Sequence, residues 1–276
     1  MSKLIIAVLL FLLVPIGAAF AQERAVTNIA GDVYRFQNQN HYSIFVITED
    51  GVVVTDPINT EAALWLRSEI SKLTDKPITH LIYSHSHGDH ASGGAVFGDV
   101  PNVIAQADAP EKIDGVAITS RIDEATTLET GGKSIELVPL GPGHGTDLMA
   151  IVVQPESVGF IVDAVAAKRL PFRDFPNSNV DDWTNQVRNV EALEFEILSG
   201  GHGVVGVKSD VTDGRIYLEE LREQVLAGME AGNSVDDLVG SITMDKYKDW
   251  ASYDQWLEPN IRGMARHLEE IDAVKK

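Results

Sequence analysis

The strongest pattern in the chain is Ser84-His85-Ser86-His87-Gly88-Asp89-His90, which directly follows an apolar run over residues 78–83. The run is typical of a buried strand, and side chains two residues apart at a strand end point in the same direction. His85, His87 and Asp89 can therefore face one side together, while His90 faces elsewhere. Two converging imidazoles form half of a metal site, and Asp89 with His90 can serve a second metal beside it. A solvated polar loop is the ordinary alternative, but this spacing should arise by chance in on the order of one in a few thousand such chains.

Three later segments also place a histidine or an aspartate at the end of an apolar strand. They are Gly143-His144-Gly145, Asp163 at the end of residues 159–163, and Gly201-His202-Gly203. Asp163 alone would more often be a helix cap or a turn residue. Because ligands of α/β folds bind at strand ends, the shared context predicts that these side chains join one site.

Hydrophobic periodicity predicts an α/β domain with a helical C-terminal portion. An Asp-Gly turn at residues 50–51 joins two strands of a hairpin over residues 42–55. Further strands are predicted at residues 33–36, 78–83, 103–105, 134–139, 149–153, 159–162 and 195–198, and helices at residues 181–193, 211–229, 235–242 and 253–271. Another helix is predicted between a cap at Asn59 or Thr60 and a stop at Lys76-Pro77. We expect the helical portion, residues 205–276, to pack on the core; a lid or a dimerisation element is the alternative.

Composition restricts the class of protein. The chain has 276 residues, of which 44% are hydrophobic, and this is enough for a substantial core. It carries 22 Lys and Arg against 41 Asp and Glu, a net charge of -19. Such a charge repels phosphate backbones, so we expect no nucleic-acid partner. The absence of cysteine excludes disulfides and thiolate metal ligands.

Residues 1–21 have the pattern of a secretory signal peptide. Lys3 precedes an apolar run over residues 4–13, and Ala19-Phe20-Ala21 matches an A-x-A cleavage site. An uncleaved anchor is the alternative, but Pro15 interrupts the segment. We therefore expect a periplasmic or secreted protein, cleaved after Ala21, with residues 22–276 as the mature domain and no stable membrane anchor.

The H-x-H-x-D-H motif and the later histidine and aspartate motifs resemble the metallo-β-lactamase-fold hydrolases over about residues 30–205. The resemblance implies an αββα sandwich with two metal ions at one edge. It implies that His85, His87 and His144 hold the first metal, that Asp89, His90 and His202 hold the second, and that Asp163 bridges them. Thr55-Asp56-Pro57 is similar to the family's early strand-end aspartate, so Asp56 would orient a ligand without binding metal.

The resemblance implies a dinuclear hydrolase that uses a metal-bridging hydroxide on an ester, thioester, lactone, β-lactam or related bond of a small molecule, and the signal-peptide pattern predicts that it is exported. Asp89 would be the catalytic residue. Zinc is the expected metal, although a His/Asp set without thiolate also accepts manganese or iron. Some β-lactamases of this fold have a cysteine ligand where this chain has Asp163, so it does not belong to those subclasses. The aspartate is closer to glyoxalase II, lactonases and phosphodiesterases.

Substrate contacts and alternative functions stay open. His41 and Tyr42 join two early strands and could overhang the metals, and the basic cluster Lys168, Arg169 and Arg173 could receive a substrate carboxylate or phosphate. Surface pairing with nearby acids is the ordinary alternative for these cations. A mononuclear iron sulfur-oxygenase on the same fold and a non-catalytic periplasmic metal-binding protein are the alternative functions.

Overall fold

The computed structural model describes residues 23–274, so the predicted signal peptide lies outside the described residues. Their N-terminal part forms a seven-stranded sheet. Its strands and those of a small separate hairpin, β7–β8, are β1 (Arg24–Ala30), β2 (Val33–Asn38), β3 (His41–Ile47), β4 (Val52–Thr55), β5 (Ile78–Ile82), β6 (Asn102–Gln106), β7 (Lys112–Ile113), β8 (Val116–Ala117) and β9 (Ser120–Ile122). The order in the sheet is β1-β2-β3-β4-β5-β6-β9, antiparallel from β1 to β4 and parallel from β4 onward.

A second sheet of six strands follows in the order of the chain. It contains β10 (Thr126–Thr130), β11 (Lys133–Pro139), β12 (Met149–Gln154), β13 (Val158–Ile161), β14 (Ile197–Gly200) and β15 (Gly206–Val207). β13 and β14 are parallel, while the other neighbours are antiparallel. Since β11 runs antiparallel to β12, and β12 to β13, the C-terminal ends of β11, β13 and β14 lie at the same sheet edge.

Helices cover the outer face of each sheet. They are α1 (Thr60–Leu73), α2 (Gly88–Ala91), α3 (Val180–Glu191), α4 (Ser209–Glu230), α5 (Val235–Ser241) and α6 (Tyr253–Glu270), with 3₁₀ turns at Gly94–Phe97 and Asp245–Tyr247. The inner faces of the sheets pack on each other through buried residues such as Val53, Ile82, Ile151 and Phe160. α1 packs on the first sheet, and α3, α4 and α6 pack on the second. The layers are therefore helix, sheet, sheet, helix, which confirms the predicted αββα sandwich.

The C-terminal helices pack on the core, as the sequence predicts. Tyr217 of α4 is fully buried, and its hydroxyl donates a 2.6 Å hydrogen bond to Oδ1 of Asn260 on α6. The Asn260 amide donates in turn to the carbonyl of Pro171, at 3.1 Å. The helical portion is thus tied to the segment that follows β13. Within residues 23–274, no helix has the length and apolarity that a membrane span requires.

The predicted elements agree with the structure within about two residues, and the largest shift has a packing explanation. The strand predicted at residues 195–198 is β14, which begins at Ile197. Phe195 extends the apolar pattern before the strand because its ring packs against Gly159, where an added Cβ would lie 2.7 Å from the ring. β1, β10 and the short strands β7, β8, β9 and β15 were not predicted.

Candidate metal centre

The side chains of the centre come from strand ends at one edge of the sandwich. Asp56 follows β4, and the segment over residues 84–90 follows β5, which is parallel to β4. In the second sheet, His144 follows β11, Asp163 follows β13 and His202 follows β14. Both sheets therefore direct polar loops to the same edge.

The structure brings all seven predicted ligands together as two overlapping groups. Within each group the potential ligand atoms lie within 4.8 Å of one another. The first group is His85, His87, His144 and Asp163, and the second is Asp89, His90, Asp163 and His202. This is the division that the family resemblance implies; metal ligation by these residues stays a prediction.

Asp163 is the residue that the two groups share. Its carboxylate lies 3.3 Å from Nε2 of His144 and 3.7 Å from Nε2 of His85 on one side. On the other side it lies 3.3 Å from Nε2 of His90 and 3.4 Å from Nε2 of His202. Its backbone is left-handed, with φ of 56°, a conformation that Asp and Asn adopt more readily than other non-glycine residues.

The donor set fits divalent metal ions. Buried histidine nitrogens normally have hydrogen-bond partners, yet Nε2 of His85 and Nδ1 of His90 and His144 have none among the described residues. Imidazole nitrogens also converge on each other within each group. Nε2 of His144 lies 3.1 Å from Nδ1 of His87, and Nε2 of His90 lies 3.2 Å from that of His202. Converging lone pairs and a shared carboxylate are the chemistry of a zinc-type site.

Burial prepares most of these imidazoles for ligation, because a metal ligand must be unprotonated. Burial lowers the pKa of His87 and His202, and it lowers that of His85 well below the ordinary value. Burial also acts to lower the pKa of His90, but the Asp163 carboxylate outweighs it and raises this pKa to about 9.

Asp56 reaches His85 through the hydroxyl of Ser84. The buried Asp56 accepts hydrogen bonds from the Ser84 backbone N–H at 2.8 Å and from its hydroxyl at 2.6 Å. The hydroxyl oxygen lies 3.0 Å from Nδ1 of His85, from which it accepts the remaining proton. This chain leaves the lone pair of His85 on Nε2, the nitrogen that faces the other ligands. Asp56 thus lies where a residue that orients a ligand is expected.

We predict that Asp56→Asn weakens metal binding about 10- to 100-fold. An amide N–H donates to Ser84, so the Ser84 hydroxyl turns its hydrogen toward Nδ1 of His85, and the histidine proton moves to Nε2. Asparagine has the same size and tolerates the positive φ of 25° at this position. Competition with a chelator measures the affinity, with Asp75→Asn as the control because Asp75 is exposed at the opposite end of β5. Unchanged affinity would show that the tautomer of His85 does not depend on Asp56.

Other supporting contacts carry no signal in the sequence. Nδ1 of His202 lies 2.8 Å from the carbonyl oxygen of Asn40 and donates to it, which leaves Nε2 for a metal. Gln186 of α3 accepts from the backbone N–H of His144 at 2.7 Å and donates to the Gly141 carbonyl. Trp183, also on α3, packs edge-on against the His144 ring. These contacts depend on the packing of distant segments, so local spacing cannot predict them.

Asp89 and His87 are the exposed members of the centre, and 51% of the Asp89 side chain is accessible. Its Oδ2 lies 3.4 Å from Nε2 of His41 and 3.5 Å from that of His90. The hydrogen bond from His41 holds the pKa of Asp89 below its usual range, although burial opposes it. His41 therefore lies beside the second group, as the sequence predicts for a residue that overhangs the metals.

A cavity of about 510 Å³ opens over the two groups. His41 lines it, but Tyr42, Lys168 and Arg173 do not. Tyr42 lies under the guanidinium of Arg35, at 3.5 Å from the ring centroid. Lys168 binds Asp210 and Asp213, and Arg173 lies over the ring of Phe172. Tyr42 belongs to β3, whereas Lys168 and Arg173 lie in the irregular segment after β13 and both have positive φ. All three side chains are engaged by other residues.

The amino-acid sequence and the fold both match known proteins. Residues 38–202 match the family model of the metallo-beta-lactamase superfamily, which is more than half of the chain. A solved structure, the metallo-beta-lactamase from Pontibacter korlensis, superposes with a TM-score of 0.63 at 19% identity. The superposition covers 71% of this chain and 99% of that protein, which shows a shared fold.

Two curated relatives are named for activities other than β-lactam hydrolysis. The 2,4-dinitroanisole O-demethylase subunit alpha of Nocardioides sp. is 25% identical over 184 residues, 63% of this chain and 56% of that subunit. The thioesterase pkgB of Emericella nidulans is 26% identical over 130 residues, 47% of this chain and 35% of that enzyme. The matched regions thus span between a third and somewhat over half of these relatives.

Proposed function

Because the chain belongs to the metallo-beta-lactamase superfamily, a family with hydrolases among its members, we propose that it is an exported hydrolase that depends on two divalent metal ions, zinc first among them. The observation that carries this proposal is the pair of groups that share Asp163 at the base of a cavity. The substrate is a small molecule with an ester, thioester, lactone or β-lactam bond. Thioesters gain support from the thioesterase among the relatives.

The chain's own residues prepare the site for hydrolysis. When bound, two metal ions would supply an activated water and stabilise the oxyanion that develops on the substrate. Asp163 sets the spacing of the groups, and the Asp56–Ser84 contact fixes the tautomer of His85. Asp89 stays ionised at the cavity floor, where it accepts a hydrogen bond from the attacking water and orients it.

The mononuclear iron oxygenase has less support. Its chemistry needs one metal, whereas the second group is as complete as the first. A non-catalytic metal-binding protein would not need the cavity that opens over both groups. Oxygen uptake by the iron-loaded protein, or tight metal binding without turnover of any bond in the panel below, would favour these alternatives in turn.

The proposal is tested on mature protein loaded separately with zinc, manganese and iron. A chromogenic β-lactam comes first, then lactones, thioesters and phosphoesters, with metal content measured for each preparation. His87→Ala serves as the control, because it removes one ligand of the first group. Turnover that is lost in the control supports a metal-dependent hydrolase. Equal turnover in His87→Ala would remove the site from the reaction.

Export is tested by intact mass. We expect protein recovered from the periplasm or medium to begin at Gln22, because signal peptidase recognises the small residues Ala19 and Ala21. The comparison is the same gene without residues 2–21, which should stay in the cytoplasm. A mass that includes Met1 would contradict cleavage.

A further inference from the structure

The wall of the cavity is mostly apolar and contains one strongly basic side chain. Five of the apolar wall residues are Leu170, Phe172, Trp183, Leu218 and Trp256. They come from the segment after β13 and from α3, α4 and α6. Among the residues that line the cavity, Arg169 alone is a lysine or arginine. The wall thus combines a hydrophobic surface with a single permanent positive charge.

Arg169 has no carboxylate partner. Its guanidinium lies 4.7 Å from the centre of the Trp256 ring, a stacked position that leaves N–H groups free. Within residues 23–274, no Asp or Glu oxygen lies within 4.0 Å of it, and it forms no hydrogen bond. The neighbouring Lys168 binds two aspartates. Arg35 also lacks a carboxylate among the described residues, but its guanidinium donates to the Gly200 and Gly203 carbonyls, whereas the half-buried Arg169 has no such partner. A desolvated charge is costly unless it is paired, so Arg169 favours an anionic ligand.

The backbone holds Arg169 in place on both sides. Ala251 donates from its N–H to the Lys168 carbonyl at 2.8 Å and accepts from the N–H of Leu170 at 3.1 Å. Asn260 of α6 binds the carbonyl of Pro171. These contacts tie the segment to the C-terminal helices, so the guanidinium is positioned before any ligand arrives. Such preorganisation lowers the entropic cost of binding.

The arginine also lies beside the second group. The ideal Cβ position of Gly203, the residue after His202, is 3.8 Å from Cδ of Arg169. Burial lowers the pKa of Arg169, while the charge of Asp163 opposes this effect. An anion on the guanidinium would therefore lie close to the reacting bond, with its apolar portion free to extend along Leu170 and Trp256.

We propose that Arg169, stacked on Trp256, binds a carboxylate of the substrate, and that the substrate is an amphiphilic anion whose apolar portion packs on the cavity wall. This inference rests on the proposed function in one respect: the bound anion is a substrate only if the protein is a hydrolase. The binding site itself follows from the contacts of Arg169 and does not require turnover. Arginine suits this role because its planar N–H groups match a carboxylate in a two-point contact.

Binding is measured first, because it is independent of activity. The probes are phenylbutanoate and its neutral amide, titrated by calorimetry into the metal-loaded protein. We expect wild type to prefer the carboxylate by about 10-fold or more, and Arg169→Gln to lose that preference. Arg169→Lys should be intermediate, since it keeps the charge but not the planar contact. Arg262→Gln makes the same change at an exposed side chain of α6, outside the cavity, and should behave as wild type.

Two outcomes overturn the proposal. One is a wild-type protein that binds the amide as tightly as the carboxylate. The other is an Arg169→Gln variant that has an unchanged melting temperature and still prefers the carboxylate over the amide. In that case the metals or another cation would hold the carboxylate. Loss of the preference in Arg173→Gln instead of Arg169→Gln would identify that other cation.

Kinetics separate this inference from the proposed function. If nitrophenyl esters are hydrolysed, Arg169→Gln should raise KM for the succinate monoester roughly 10- to 100-fold and leave KM for the butyrate ester within about threefold. An equal change for both esters would contradict a carboxylate contact. If no ester is hydrolysed, the proposed function loses its support, while the binding experiment still decides the role of Arg169.

Discussion

Asp163→Asn is expected to reduce bound metal from two ions per chain to one or none and to lower turnover about 1,000-fold or more. The substitution keeps the size of the side chain, and asparagine tolerates the left-handed backbone at this position. It removes the single negative charge that lies within 3.7 Å of four histidine Nε2 atoms. Both groups lose their shared ligand at once.

Metal content by atomic emission and kcat/KM on the best substrate of the panel measure this effect. Asp75→Asn is the matched control, since it makes the same charge change at an exposed position before β5. The melting temperature checks that the variant is folded. Two bound metals with normal turnover in Asp163→Asn would show that the groups do not share this carboxylate.

Asp89→Asn is expected to keep the metal of the first group and to lower turnover about 100-fold or more. Asp89 belongs to the second group alone, so His85, His87, His144 and Asp163 stay intact. The amide lacks the charge that binds the second metal, and it offers one oxygen where the carboxylate offers two to orient the attacking water.

The comparison between the two variants is the informative measurement. Asp89→Asn should bind its first metal with the wild-type affinity, whereas Asp163→Asn should bind it more weakly. Chelator competition gives both affinities, with Asp75→Asn alongside. Wild-type turnover in Asp89→Asn would remove this residue from the reaction. Equal loss of the first metal in both variants would contradict the division into two groups.

The local motif explains how much of the site could be predicted. His85, His87, Asp89 and His90 lie within six residues, so the sequence placed them at one site. The alternation of a strand end predicted that Asp89 faces the same side as His85 and His87, but Asp89 lies in α2 beside His90 and joins the second group. His144, Asp163 and His202 are distant in sequence, but each follows an apolar strand, and the strand ends of the two sheets meet at one edge. The resemblance to a known family supplied the pairing between groups, which the residues alone left open.

The supporting residues could not be predicted, because they act across large separations. Gln186 and Trp183 contact the His144 loop from a helix about 40 residues away, and Asn40 contacts His202 across 162 positions. Neither polar residue differs in pattern from an ordinary surface amide. β9 and β15 were missed for a similar reason, since two or three residues are too few to show a periodicity.

The amino-acid sequence by itself determined an α/β domain and the side chains of the candidate metal centre, because strand periodicity and the H-x-H-x-D-H spacing are local properties. The order of the layers was implied by the family resemblance. Only the tertiary structure decided which cation faces the cavity. The sequence offered the cluster Lys168, Arg169 and Arg173 without a choice among them. Lys168 turns to Asp210 and Asp213, Arg173 lies over Phe172, and Arg169 lines the cavity. The backbone there is irregular, with positive φ at Lys168 and Arg173, so no period fixes the direction of a side chain. Contacts with Ala251 and Trp256, more than 80 residues later, fix it instead.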